Sequence, residues 1–121
     1  MTSPTTHQGN IGQTAVTLDA LRRGYHVSVP LEGAAYDLIV DRDGELLRVQ
    51  VRSTTSCDGK ITVRLRDSTS EKVDVLAMYD LASGKTYWIP FSKISCTHGF
   101  TLRLQETRQR CDWMAAEFEE F

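Results

Sequence analysis

Apolar and polar positions divide the chain into one helical stretch followed by a series of short alternating ones. Between Asn10 and Arg23, Ile11, Ala15, Leu18 and Leu21 recur at helical spacing, while Gln13, Val16 and Ala20 form a second stripe. This pattern predicts a helix that touches protein on two sides and stops at Gly24, with Gln13 the polar member of its stripe and so a candidate to face a site. Tyr25–Pro30 alternates with period two and is closed by proline, which predicts a first strand. Alternating runs at about 36–41 and 46–53 flank Asp43-Gly44, a strong signal for a tight hairpin. Ile61–Arg66 alternates again, with Ile61, Val63 and Leu65 expected inward. Val73–Leu81 is an apolar run broken by Asp74 and Asp80, the pattern of a central strand. Thr86–Phe91 and Phe100–Leu104 read as further strands. Arg108–Phe121 reads as a terminal helix that sets Trp113, Ala116 and Phe118 against the core. Residues 1–9 are polar and read as disordered, leaving one domain over 10–121. The fold class is α+β, a mixed, mostly antiparallel sheet flanked by helices.

The hairpin carries the first hint of chemistry. With a two-residue turn, Arg42 opposes Glu45, and counting outward sets Asp37 across from Gln50. Directly opposed side chains have Cβ atoms roughly 4.5–5.5 Å apart, so their polar ends reach a common ligand. Alternation puts Gln50 and Arg52 on one face and Val49 and Val51 on the other. A carboxylate, an amide and a cation then converge on a patch suited to a phosphodiester. A three-residue loop with a bulge would instead place Asp37 opposite Val49. The same alternation also describes a hairpin face that is polar because it meets water.

With 121 residues the chain has room for one core. No apolar run approaches the roughly 18–20 residues that span a bilayer, and the first residues lack the basic and apolar parts of a signal peptide, so a cytoplasmic location is expected. Cys57, Cys96 and Cys111 are odd in number and far apart, against a disulfide framework or zinc knuckle. The net charge of −2 conceals an uneven distribution. Arg48, Arg52, Lys60, Arg64 and Arg66 cluster centrally, while Glu117, Glu119 and Glu120 offset them at the end. A basic patch binds phosphates even when an acidic segment cancels the total; it also simply solvates a surface.

Taken in order, the motifs Gly9-Asn10-Ile11-Gly12-Gln13, Gly24-Tyr25-x-Val27-x-Val29-Pro30, Tyr36-Asp37-Leu38-Ile39, Arg48-Val49-Gln50-Val51-Arg52, Asp74-Val75-Leu76-Ala77-Met78-Tyr79 and Tyr87-Trp88-Ile89-Pro90 carry a family pattern. Over roughly residues 9–95 the chain resembles the PD-(D/E)xK nuclease superfamily, in particular its small branch of group I intron-encoded homing endonucleases and their phage and bacterial relatives. The resemblance implies a restriction-endonuclease-like domain. It places the family's aspartate on Asp37 and its Glu/Gln position on Gln50. It also places the family's helix glutamate on Gln13 and its lysine on Arg52, and these two are departures.

What the resemblance implies is a Mg²⁺- or Mn²⁺-dependent hydrolase acting on double-stranded DNA. Asp37 would be the principal metal ligand, Gln50 and the Val51 carbonyl neutral ligands, Arg52 the phosphate and transition-state cation, and Gln13 an orienter of water. Arg48, Arg64 and Arg66 would hold backbone phosphates, and Lys60 is a further DNA-contacting cation or a migrated catalytic lysine. A protomer with one site must form a homodimer or homotetramer to cut both strands. Gln13 removes a negative charge, and Arg52, a guanidinium in place of the family's ammonium, makes a poor base. A catalytically inactive DNA-binding protein on the same scaffold is therefore the alternative, followed by a protein-interaction domain that never touches DNA.

Overall fold

The computed structural model describes residues 3–64, 72–93, 99–104 and 113–121. Helix α1 spans Pro4–Arg22. It starts at Pro4 rather than Asn10, so residues 4–9, expected to be disordered, are helical. Ser3 caps it by accepting the Thr6 N–H at 3.2 Å, and Pro4 occupies the first turn, where a missing N–H costs nothing. Arg23 caps the other end, followed by Gly24 with φ +87°, the left-handed residue expected there.

Among the described residues eight strands follow: β1 His26–Ser28, β2 Leu38–Arg42, β3 Glu45–Thr54, β4 Lys60–Arg64, β5 Val75–Asp80, β6 Thr86–Pro90, β7 Gly99–Arg103 and β8 Trp113–Met114. The main sheet has the order β1-β2-β3-β5-β6, with β3 and β5 parallel and its other pairs antiparallel. A second sheet, β4-β7-β8, holds the chain that crosses between β3 and β5. The β2–β3 hairpin closes on a two-residue turn, with Arg42 opposite Glu45. Asp43 and Gly44 have φ of 53° and 96°, the positive values a type I′ turn needs at both central positions. The bulged alternative is thereby excluded.

The main sheet has a core on each face. On one, Val16 and Ala20 of α1 pack on Leu38, Val40, Val49, Val51, Val75, Ala77 and Trp88. On the other, Ile61, Val63, Phe100 and Leu102 of the second sheet pack on Leu76, Met78, Tyr87 and Ile89. Of the two helix faces expected to touch protein, only the second is buried. Gly12, Val16 and Ala20 form the buried line, whereas Ile11, Leu18 and Leu21 are 38, 47 and 52% exposed. Small side chains let the helix lie close to the sheet, and the bulkier stripe is pushed to the outside.

The expected terminal helix is replaced by β8 and one 3₁₀ turn, Ala115–Phe118. Three-residue spacing brings Ala115 and Phe118 to the core and leaves Ala116 exposed. Residues 108–112 of that expected helix, and Leu65 of the expected strand, lie outside the described residues. The chain end folds back on α1. Phe121 stacks on Trp88 with centroids 4.1 Å apart and meets Tyr25 edge-on, while the Tyr25 hydroxyl donates to the Phe121 carbonyl.

Asp80, fully buried at the end of β5, ties the β5–β6 turn to the β3–β4 connection. It accepts from Ser56 N–H at 2.9 Å, Ala82 N–H at 3.0 Å and Ser83 Oγ at 2.7 Å. Burial pushes its carboxyl up, but the hydrogen bonds from Ser83, Ser56 and Ala82 outweigh burial and hold it below the ordinary carboxylate value. Its stabilising effect is therefore complete above the unfolded-state pKa and is lost as pH falls through the depressed folded-state value. Asp80→Ala strands two backbone donors and is expected to lower unfolding free energy by about 2–4 kcal/mol near pH 7. Urea titrations at pH 7 and pH 3 check this, the deficit of the variant shrinking at the lower pH.

Candidate active site

The site lies where a ladder ends. Pairing of β2 with β3 runs from Arg42↔Glu45 to Leu38↔Val49 and stops, while β3 continues to Thr54. Past that point Val51 has no β2 residue to pair with, and Asp37 takes over. Its own N–H donates to the Val49 carbonyl at 2.9 Å, and its Oδ2 accepts the Val51 N–H at 2.8 Å. A side chain thus completes the ladder in place of backbone, and the same bond fixes its rotamer. The N–H and C=O of one strand residue point to the same edge, so the Val51 carbonyl also faces the opening. Arg52 Nη1 lies 3.4 Å from it.

The opening is a cleft of about 440 Å³ lined by α1 (Thr5, Thr6, Gln8, Gly9, Asn10, Gln13) and by Asp37, Val51, Arg52 and Ser53. Gln13, Asp37, Val51 and Arg52, separated along the sequence, therefore share one cavity. Gln50 does not line it. Its backbone is paired with Leu76 of β5. Among the described residues Arg52 has no acidic partner, and the second Asp37 oxygen and the Gln13 amide form no hydrogen bond.

Gly12 determines how closely α1 approaches this site. A Cβ there would sit 1.9 Å from Ser53 Oγ and 3.2 Å from Ser53 Cβ, so glycine is the side chain that fits. Ser53 Oγ also donates to the Gln8 carbonyl at 3.1 Å, fastening the helix over the cleft. The next residue along the helix is Gln13.

The basic cluster divides. Arg48 is committed to Asp74: its Nε and Nη2 reach the two carboxylate oxygens at 3.1 Å each, and its N–H donates at 2.8 Å. The Arg48 guanidinium, with its backbone N–H, holds the Asp74 carboxyl below the usual carboxylate range despite partial desolvation. Arg48 is thus a strut between β3 and the start of β5, not a free phosphate ligand as expected. Lys60 opens β4 with no acidic partner among the described residues. The Arg64 side chain and Arg66 lie outside the described residues. Arg103 of β7, which sequence reading missed, stands directly opposite Lys60. No periodicity marks that pairing, because it depends on two distant strands meeting.

A family model described as PD-(D/E)XK endonuclease matches residues 3–121, nearly the whole chain. The chain belongs to the PD-(D/E)XK endonuclease family. A solved structure of a bacterial homing endonuclease, I-Ssp6803I, is 31% identical over 91% of this chain and 83% of that one, with a TM-score of 0.76. No curated protein matches the chain. Among the described residues, no helix is long and apolar enough to cross a membrane.

The Gly12–Ser53 contact is open to a double-mutant cycle. Gly12→Ala is expected to cost about 1–3 kcal/mol by overpacking. Ser53→Ala, which removes the nearer clashing atom, is expected to restore part of that loss. Denaturant midpoints of the four proteins check the coupling.

Proposed function

We propose that this chain is a Mg²⁺- or Mn²⁺-dependent DNA endonuclease that hydrolyses phosphodiester bonds in duplex DNA. The observation that supports it is the single cleft joining the Asp37 carboxylate, the Val51 carbonyl, the Gln13 amide and an Arg52 with no acidic partner among the described residues.

The donor set suits a hard cation. Mg²⁺ keeps several waters and is commonly held by one or two carboxylates together with substrate phosphate, so one free Asp37 oxygen and the Val51 carbonyl are an adequate protein contribution. When bound, the ion supplies Lewis acidity and lowers the pKa of water. The remaining work falls to side chains. Arg52 neutralises charge accumulating on the scissile phosphate, and its planar fork reaches two phosphate oxygens at once. As a guanidinium it binds phosphate rather than serving as the base. Gln13 orients the attacking water by hydrogen bonding without contributing charge. Gln50 adjoins Val51 on β3, and its side-chain carbonyl is the further neutral ligand of this reading.

One cleft per protomer serves one strand, and cutting both calls for a homodimer or homotetramer. A second reading, an inactive DNA-binding protein, rests on the neutral Gln13 and on an arginine at position 52 where the family has lysine.

Asp37→Ala is expected to abolish cleavage of a plasmid in Mg²⁺ while duplex binding in EDTA persists. Cleavage that survives this change would refute the assignment. Arg52→Ala is expected to reduce the rate by about 10²–10³-fold, the size associated with losing one transition-state donor, with Arg52→Lys much closer to wild type. The pair Gln13→Glu with Arg52→Lys separates the two readings. A modest change in rate means that arginine already works, whereas cleavage gained from a silent wild type identifies a degenerate site.

A further inference from the structure

The second sheet brings two cations together away from the cleft. Lys60 of β4 and Arg103 of β7 are directly opposed, with Thr62 opposite Thr101 two positions along. Their strand neighbours Ile61 and Leu102 are buried, so alternation puts Lys60, Thr62, Thr101 and Arg103 on the outer face. Opposed residues have Cβ atoms roughly 4.5–5.5 Å apart, and like charges at that separation destabilise the pair. Neither cation has an acidic partner among the described residues. Arg103 Nε is turned inward and buried, with no acceptor among the described residues. An anion between the two would relieve the repulsion.

The pair also lies in line with the cleft. Arg52 lines the candidate active site and a neighbouring depression of about 380 Å³ shared with Ser53, Thr54, Thr62, Val63 and Met78. Thr62 stands two residues from Lys60 on the same side of β4, a step of roughly 6.8 Å. Arg52, Thr62 and the Lys60–Arg103 pair therefore form a run of cationic and hydroxyl groups leading away from Asp37. Phosphate contacts from such groups set the register of a strand on a protein.

We propose that Lys60 and Arg103 jointly hold one DNA backbone phosphate, remote from the scissile one, on the strand that passes through the cleft. Arg103 supplies the bidentate fork and Lys60 the point charge. The proposal rests on the nuclease reading above.

The test measures duplex binding by the full chain in EDTA, where cleavage plays no part, as a function of NaCl concentration. Because both residues serve one phosphate, Lys60→Gln, Arg103→Gln and the double variant are each expected to weaken binding alike for all duplex sequences. Each is expected to reduce the slope of log K against log salt by roughly one. The double variant is expected to lose little more than either single one. Urea stability without DNA is expected to hold or rise, because repulsion is removed; a fall would identify a structural pair and overturn the proposal. An unchanged salt slope, with duplex binding by the wild type intact, would overturn this site alone. Absence of duplex binding by the wild type would overturn the underlying reading together with it. Stabilisation by inorganic phosphate equal to that by duplex would assign the pair to a free anion instead.

Discussion

The distance between α1 and β3 is the constraint on which the rest of the structure depends. It is set where Gly12 passes Ser53, with room for a hydrogen and nothing larger. The line continues through Val16 and Ala20, so the helix lies flat on Val49 and Val51 along its length. At the far end the helix is held by polar contacts. Asp19 Oδ2 accepts from Trp88 Nε1 at 2.7 Å and from Arg23 Nε at 2.8 Å, while Arg23 also reaches the Glu119 carbonyl. Phe121 closes over Trp88 on the same side. One end of α1 is thus committed to packing, and the other, where Gln13 sits, overhangs the opening beside β3.

That opening exists because two strands of unequal length meet. Strand β3 outruns β2, and its far half pairs only with β5. An exposed strand edge presents unpaired backbone groups, and in a β-protein it is ordinarily blunted or covered. Here Asp37 satisfies one donor and α1 roofs the remainder, leaving a carbonyl, a carboxylate oxygen and a guanidinium facing the same space. The parallel β3–β5 pairing also brings Asp74 beside Arg48, which draws one cation out of the basic cluster and leaves Arg52 without an acidic partner among the described residues.

Much of this was legible from local chemistry. The Asp43-Gly44 turn could be read because both residues tolerate positive φ, and its register determines which residues share a face. Strands announced themselves by alternation; of the group that the family resemblance implies, Gln13, Asp37, Val51 and Arg52 line one cleft, and Gln50 does not line it. The misses share a different cause. The stripe of Val16 and Ala20 was expected to touch protein and does; exposure of Leu18 and Leu21 depends on which side of the helix the sheet covers, which hydrophobicity does not encode. Alternation states that β4 and β7 are strands but not that they form a separate sheet, so the Lys60–Arg103 pairing was invisible. The Asp37–Val51 bond depends on where β2 stops, a property of two strands together. Ser3-Pro4 carries the chemistry of a helix start, but the segment it opens has no apolar stripe to mark it as helical.

The bond from Val51 to Asp37 has one more consequence. An aspartate on a mobile loop would spend conformational entropy each time it captured a ligand. Here that entropy is spent during folding, since the same carboxylate finishes a strand pair with one oxygen and presents the other. Side-chain length is therefore specified twice over, by the reach to a backbone N–H and by the position of the free oxygen. Glutamate, although equal in charge, would not meet both. The sheet edge acts as a jig, and whatever frays the end of the β2–β3 ladder should loosen the chemistry before it measurably loosens the fold.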